Sequence, residues 1–130
     1  MKYDKVVVDK KELEKLKTLF STIQNGRDKT YRLSFEKLMD ELKMAKLLDS
    51  SKMPEDVIRL NSIVTIKTSL SDEKKFQLVT PEKSDLSQNK LSVLAPMGLA
   101  LYGYAENDEI QWEFPSGVNT ITITKVEQPV

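Results

Sequence analysis

The sequence contains neither cysteine nor histidine among its 130 residues. Without cysteine the chain has no disulfide, no thiolate nucleophile and no thiol-ligated metal. Without histidine it has no Ser-His-Asp triad, no histidine-ligated zinc and no histidine general base. Many common enzyme mechanisms are thereby excluded. We expect a protein that is not an enzyme, with no catalytic residue, no metal site and no cofactor.

Long apolar runs are also missing. No stretch approaches the roughly 20 apolar residues that a membrane-spanning helix needs. The first twelve residues, MKYDKVVVDKKE, place charges on both sides of one short apolar patch, unlike a signal peptide. We therefore expect a cytoplasmic protein with no membrane partner.

The chain has no net charge, because 20 basic residues balance 20 acidic ones. The balance is uneven: residues 1–52 hold 13 basic against 9 acidic side chains, and residues 53–130 hold 7 against 11. A surplus of four positive charges, interleaved with acid, is too small to indicate nucleic-acid binding through counterion release. We expect no direct contact with DNA or RNA.

Two apolar stripes predict helices in the N-terminal part of the chain. Asp9 and Glu12 have the spacing of a capping box, and Asn25 and Gly26 are residue types that end helices. The apolar residues step by three and four, as on one helix face: Leu13, Leu16, Phe20 and Ile23 first, then Phe35, Leu38, Leu42 and Ala45 in a segment that runs to about Asp49. We predict a short antiparallel helical hairpin, packed as a coiled coil.

The tip of this predicted hairpin is charged, with Arg27, Asp28 and Lys29. Such a tip is most often simply solvated. At ~1.5 Å of rise per residue, helices of about 15 residues make an arm only about 22 Å long. The hairpin is therefore predicted to be short.

After a linker over residues 49–56, the apolar pattern changes from helical to alternating. NSIVTIKTS and KFQLVT predict a β-hairpin with its turn at SDEK, and EIQWEF and NTITITKV predict a second one around Pro115, Ser116 and Gly117. Between them, a strand leads into a short helix that starts at Pro96 and ends at Gly103. The inner face of the sheet is predicted to hold Ile110, Trp112, Phe114, Ile121 and Ile123, with Leu91 and Leu101. The prediction is an α+β chain: a helical hairpin over 1–52, then an antiparallel β-sheet domain with one short helix over 53–130.

Two segments resemble a known family. SVLAPMGLALYG followed by NDEIQWEFPSGVNTITI is similar to the C-terminal domain of the bacterial Gre transcript-cleavage factors (GreA/GreB). MPEDVIRLNS is similar to a segment of a shorter branch of this family, the regulators of nucleoside diphosphate kinase, called Rnk. The resemblance covers about residues 53–127 and places the chain nearer to Rnk than to a true Gre factor.

The resemblance implies a sheet domain with the fold of FK506-binding proteins (FKBP-like). That domain would dock on bacterial RNA polymerase at the rim of its secondary channel, which the hairpin enters. The residues that match the polymerase-contacting turn are Ala95, Pro96, Met97 and Gly98. Ala95 stands where Gre factors often have serine. Asn107 replaces the usual glycine before Asp108, which predicts an asparagine with positive φ.

The resemblance also implies a mechanism to compare with. Gre hairpins bring acidic side chains that help to hold a catalytic Mg²⁺ ion, a role that suits carboxylate oxygens. Here Asp28 stands alone between two cations, on an arm too short to reach the active site. The implied function is a polymerase-binding transcription regulator that competes with Gre-type factors without stimulating transcript cleavage.

Two other functions are compatible with the sequence. An FKBP-like domain could be a peptidyl-prolyl isomerase, with an apolar pocket formed by Trp112, Phe114, Phe76, Tyr102 and Tyr104. Alternation, however, turns Trp112 and Phe114 into the core, and a fold alone does not confer activity. The chain could also be a generic protein-interaction module, present as a monomer or as a weak dimer formed through the hairpin.

Overall fold

The computed structural model describes residues 2–21, 29–68, 71–114 and 117–129. Its helices are α1 (Lys10–Phe20), α2 (Lys29–Lys43) and α3 (Pro96–Leu101). Its strands are β1 (Val7–Asp9), β2 (Lys46–Leu48), β3 (Ile63–Thr68), β4 (Ser71–Val79), β5 (Lys90–Ser92), β6 (Glu109–Phe114) and β7 (Gly117–Glu127). Within these ranges, no helix has the length and apolar character needed to cross a membrane.

Strands β3 to β7 form one sheet in the order β5-β4-β3-β7-β6. The two predicted hairpins are present, and pairing of β3 with β7 joins them. The prediction of a purely antiparallel sheet was wrong, because β4 and β5 pair in parallel, with Leu78 opposite Leu91. Residues 80–89 between them supply the longer crossover that a parallel pair requires.

The predicted turn at SDEK was also wrong. Ser71 begins strand β4 and lies opposite Thr68, while Lys74 lies opposite Ile66. The backbone of this polar segment gains sheet hydrogen bonds, which outweigh its turn-like composition. In the second hairpin Gly117 begins β7, and Pro115 and Ser116 lie outside the described residues.

Helix α1, with 11 residues, is shorter than predicted, whereas α2 has the predicted 15 residues but begins and ends earlier in the sequence. Helix α1 ends at Phe20 with Ser21 as its C-cap, and the predicted stop at Asn25 and Gly26 lies outside the described residues. Helix α2 ends at Lys43 rather than near Asp49, because residues 46–48 form β2 and pair in parallel with β1. Of the predicted tip, Lys29 is the first residue of α2, whereas Arg27 and Asp28 lie outside the described residues.

One apolar core runs from the N-terminal helices into the sheet. Its buried members include Leu13, Leu16 and Phe20 of α1, Leu38 of α2, Leu99 and Leu101 of α3, and Val64, Ile66, Leu78, Ile110, Ile121 and Ile123 of the sheet. The predicted inner-face residues Ile110, Ile121, Ile123 and Leu101 are therefore confirmed, and Leu91 packs against the same cluster. The side chains of Trp112 and Phe114 lie outside those that the structure describes.

Candidate functional site

The turn that enters helix α3 holds the residues predicted to dock on a partner. Strand β5 ends at Ser92, whose hydroxyl accepts a hydrogen bond from the Leu94 N–H at 3.0 Å. The Ser92 carbonyl accepts from the Ala95 N–H, also at 3.0 Å. Pro96 then begins the helix, where a missing N–H costs nothing. These bonds turn the chain sharply from the strand into the helix.

The predicted docking residues differ in accessibility. Ala95, Pro96 and Met97 are half-buried, and Gly98 is fully buried. A Cβ atom placed on Gly98 would lie 2.5 Å from the carbonyl oxygen of Ser92. Gly98 is therefore required for the close packing of α3 on the end of β5, and the accessible part of the turn is Ala95, Pro96 and Met97.

Met97 also lines a cavity of about 610 Å³ beside α3. The cavity is lined by Ile66, Lys74, Lys75, Phe76, Leu86, Asn89, Leu91 and Met97. Leu86 is 74% exposed, which is unusual for a large apolar side chain. Apolar side chains beside two lysines form a surface that suits an apolar partner residue flanked by acidic groups. We call the cavity and the turn at Ala95–Met97 the docking face.

The start of helix α1 confirms half of the predicted capping box. The Asp9 carboxylate accepts hydrogen bonds from the backbone N–H groups of Lys11 at 2.8 Å and Glu12 at 3.4 Å. The second half was wrong, because the Glu12 carboxylate is engaged by residues of the sheet domain. Its Oε1 accepts from the Leu60 N–H at 3.0 Å and from the Tyr102 hydroxyl at 2.8 Å.

Arg59 completes this contact between helix and sheet. Its guanidinium lies 3.0 Å from Glu12 Oε2 and 2.5 Å from Asp9 Oδ2. Ser50 donates its hydroxyl to the same Asp9 oxygen at 2.6 Å. Two largely buried carboxylates, one at the N-cap and one in the first turn of α1, thus share one arginine from the chain segment before β3, and both acids are compensated.

A second contact holds helix α2. The Tyr104 hydroxyl donates to the carboxylate of Glu41 and accepts from Lys37 Nζ at 2.8 Å. The Lys37 ammonium also lies 4.8 Å from the centroid of the Tyr104 ring. Burial, followed by the hydrogen bond to Glu41, raises the pKa of Tyr104, and burial followed by the Glu12 charge raises that of Tyr102. Both phenols therefore remain protonated donors at neutral pH.

Two residues with positive φ shape the backbone near these contacts. Gly103 has φ 84°, and a Cβ there would lie 2.8 Å from Cβ of Val6. Its carbonyl accepts from the N–H of Val7 in strand β1 at 3.1 Å. Asn107 has φ 75°, which confirms the prediction that asparagine takes the place of glycine there.

Sequence patterns do not predict the roles of Arg59, Lys37 and Glu41. The sequence around Arg59 does suggest an ion pair, because Arg59 lies between the apolar residues Ile58 and Leu60, which are both buried. A cation between two core residues needs a nearby acid. Lys37 and Glu41 gave no signal beyond an ordinary helical ion pair. Among the described residues, no group of three or more acidic side chains is placed to hold a metal ion.

Acid is expected to destabilise the protein partly through Asp9. Burial alone would raise the pKa of this carboxyl, but hydrogen bonds from Ser50, Lys11 and Glu12 and the charge of Arg59 together lower it. A lowered pKa in the folded state means that the stabilisation is present above the unfolded-state value, about 3.9. It is lost as the pH falls through the lower folded-state value.

Urea unfolding at pH 5, 4 and 3 measures this effect. The wild-type midpoint should fall with pH, and an Asp9→Asn variant should be less stable at pH 5 but fall less steeply. Asp85→Asn is the matched control, because the pKa of Asp85 is also lowered, first by the Ser87 hydroxyl, but Asp85 lies outside the contact with Arg59. Equal slopes for wild type and Asp9→Asn would contradict the prediction.

Comparison with known proteins places these features in a family. The family described as "Transcription elongation factor, GreA/GreB, C-term" matches residues 53–128. The regulator of nucleoside diphosphate kinase from Escherichia coli (strain K12) is 41% identical over 81 residues, covering 62% of this chain and 60% of that protein. The transcription elongation factor GreA of Hyphomonas neptunium is 33% identical over 90 residues, covering 68% of this chain and 57% of that protein.

A solved structure is similar over nearly the whole chain. It is described as a prokaryotic transcription elongation factor GreA/GreB from Nitrosomonas europaea, with a TM-score of 0.73 and 34% identity. The match covers 95% of this chain and 98% of that one. The curated relatives are longer, and this chain spans about three fifths of their length. Since the family match covers more than half of the chain, this protein belongs to the GreA/GreB family, with identity to the kinase regulator higher than to the GreA factor, as the sequence predicted.

Proposed function

We propose that this protein binds bacterial RNA polymerase at the rim of the secondary channel and regulates transcription elongation without stimulating transcript cleavage. The family match over residues 53–128 carries the proposal, because it covers the whole docking face. The names of the two curated relatives, a regulator and an elongation factor, support the same class of function. The partner is inferred from the family, and the absence of cleavage stimulation is inferred from the N-terminal helices of this chain.

The docking face provides the contact with polymerase in this proposal. Met97 and Leu86 offer apolar area, and Lys74 and Lys75 are exposed beside them. Residues 53–130 carry a net negative charge, so the two adjacent lysines make the docking face more positive than the domain as a whole. An apolar contact surrounded by complementary charge gives both affinity and orientation.

The N-terminal helices favour binding without cleavage. We infer that α1 and α2 form the short antiparallel hairpin over residues 1–52 and that residues 53–130 form the FKBP-like domain. The rings of Phe20 and Phe35 meet edge to face at 5.7 Å and both belong to the shared core. Helix α2 begins at Lys29, six residues before Phe35, so the part of the helix that precedes Phe35 is about 9 Å long. Helix α2 as a whole has 15 residues and is about 22 Å long, the length predicted from the sequence.

The chemistry of the tip leads to the same conclusion. In the sequence Asp28 lies between Arg27 and Lys29. A carboxylate between two cations attracts a divalent metal weakly, since the neighbouring charges oppose the ion. The short helices and the cations beside Asp28 independently favour a protein that occupies the channel entrance without assisting hydrolysis of the transcript.

The arrangement of the aromatic rings weakens the isomerase alternative. Of the five aromatic residues considered for a proline pocket, Phe76 lines the cavity described above. Tyr102 and Tyr104 are buried against the N-terminal helices, where their hydroxyls bind Glu12 and Glu41. These two rings are therefore not available to a substrate. A proline-peptide isomerisation assay with the purified protein tests this alternative directly.

A binding and competition experiment tests the proposal. At micromolar concentration, the purified protein should co-elute with bacterial RNA polymerase, and an excess of a Gre factor should displace it. Added alone to backtracked complexes it should not accelerate RNA shortening, and added together with a Gre factor it should slow the cleavage that the factor causes. Absence of association would overturn the binding, and a cleavage burst from the protein alone would overturn the mechanism.

A further inference from the structure

Three successive residues after helix α3 each hold a different N-terminal element. The Tyr102 hydroxyl donates to Glu12 of α1, and the Tyr104 hydroxyl donates to Glu41 of α2. Between them, the carbonyl of Gly103 accepts from Val7 of β1. We propose that this segment, Tyr102–Gly103–Tyr104, is a clamp that fixes the direction of helices α1 and α2 relative to the sheet. We call it the tyrosine clamp.

The clamp on α1 is directional because Glu12 is bound from several sides. Its carboxylate receives the Tyr102 hydroxyl, the Leu60 N–H and the Arg59 guanidinium. Tyr102 is 1% exposed, and the Glu12 side chain is 16% exposed. Charge-assisted hydrogen bonds in such a poorly hydrated position are strong and depend on geometry. A small rotation of α1 would break several of them at once.

The apolar stripe of α1 does not impose the same constraint. Leu13, Leu16 and Phe20 hold the helix on the core, but burial of apolar area is not directional. A helix can roll or slide on such a surface while most of its buried area is retained. The polar contacts therefore set the angle of α1 relative to the sheet, and burial of the apolar stripe stabilises the packing of the helix on the core.

The clamp on α2 follows the same design. Glu41 is bound by Tyr104 and lies 3.0 Å from Lys37, whose ammonium also sits over the Tyr104 ring. Gly103 allows Val6, the residue before β1, to come close between the two tyrosines, since a side chain at position 103 would collide with it. Two helices and a strand are thus attached to three consecutive residues.

The position of the clamp links the helices to the docking face. The clamp begins at the residue after α3, and the docking turn lies at the other end of that six-residue helix. Because α3 is buried in the core and short, its two ends cannot move independently. The helices are thereby held in a preset direction relative to the surface around Met97. This inference concerns the protein alone and does not depend on what binds the docking face.

Distances between spin labels test the clamp. Because the chain has no cysteine, cysteine pairs can be introduced and labelled specifically at Lys17 of α1 or Glu36 of α2, each with Lys125 of β7. All three positions are exposed. The double variant Tyr102→Phe/Tyr104→Phe keeps both rings and removes both hydroxyls. We expect the width of both distance distributions to at least double, with the sheet signature in circular dichroism unchanged.

A matched control and a second variant make the test decisive. Tyr3→Phe also removes a phenol that donates to a carboxylate, Asp56 at 2.8 Å, but outside the clamp, so its distributions should match those of the wild type. Arg59→Met removes the cation shared by Asp9 and Glu12, and it should broaden the α1 distribution more than the α2 distribution. Unchanged widths in Tyr102→Phe/Tyr104→Phe, or equal broadening in Tyr3→Phe, would overturn the inference.

Discussion

A Gly98→Ala variant is expected to lose about 2 kcal/mol of unfolding free energy. The added Cβ would lie 2.5 Å from the carbonyl oxygen of Ser92 and 3.0 Å from Cα of Val93. Both neighbours are backbone atoms, so no side chain can rotate away, and α3 must separate from β5. Overpacking of this kind costs up to about 3 kcal/mol, and the better helix propensity of alanine offsets about 1 kcal/mol. Because the steric cost exceeds the gain in helix propensity, the variant is expected to be less stable than the wild type.

Urea unfolding at neutral pH measures this loss. Ala95→Ser is a suitable control in the same turn, because Ala95 is the N-cap of α3 and makes no side-chain cap. A serine hydroxyl there can accept a hydrogen bond from the first turn and should stabilise by about 1 kcal/mol. If Gly98→Ala proved as stable as the wild type, the close packing of α3 against β5 would be wrong.

A Met97→Asp variant is expected to fold but to bind RNA polymerase about 30-fold more weakly, corresponding to about 2 kcal/mol. Met97 is half-buried at the rim of the cavity, so an aspartate carboxylate can stay hydrated in the free protein. On docking, that carboxylate would lose water beside apolar side chains, which is costly. The neighbouring Gly98 is predicted to contribute to stability, whereas Met97 is predicted to contribute to binding.

Titration of labelled protein with polymerase gives the affinity, and circular dichroism reports folding. Val118→Asp is the matched control, because Val118 is an exposed valine, 66% accessible, that does not line the cavity. Its binding should equal that of the wild type. Full affinity in a folded Met97→Asp protein would place the contact elsewhere. Unfolding of this variant would show that Met97 serves the core and not the docking face.

Several features were predictable because the signals that produce them are local. The helix start at Asp9 depends on hydrogen bonds to residues two and three positions away. Pro96 begins α3, and Asn107 has positive φ, both for reasons of backbone geometry within a few residues. Alternation also identified Ile121 and Ile123 as core residues, since neighbouring side chains on a strand face opposite sides.

The family could likewise be recognised from short stretches, because the residues that resemble it lie close together in the sequence, in the turn into α3 and in the strands around it. The sequence alone thus determined the order of helices and strands near the docking turn and the relationship to the GreA/GreB family. The predicted end of α2 near Asp49 and the predicted SDEK turn were wrong, because strand pairing supplied backbone hydrogen bonds that local composition does not reveal.

Tertiary structure alone decided which partners the polar residues of the N-terminal helices would take. Glu12 has the spacing of a capping residue, yet its carboxylate binds Leu60 and Tyr102, which lie 48 and 90 positions further along the chain. The contact of Tyr104 with Glu41 spans 63 positions, and the parallel pairing of β4 with β5 joins residues 13 positions apart. Such contacts form only when the apolar core brings the elements together, because a carboxylate that loses water must then take whichever donors the fold places beside it.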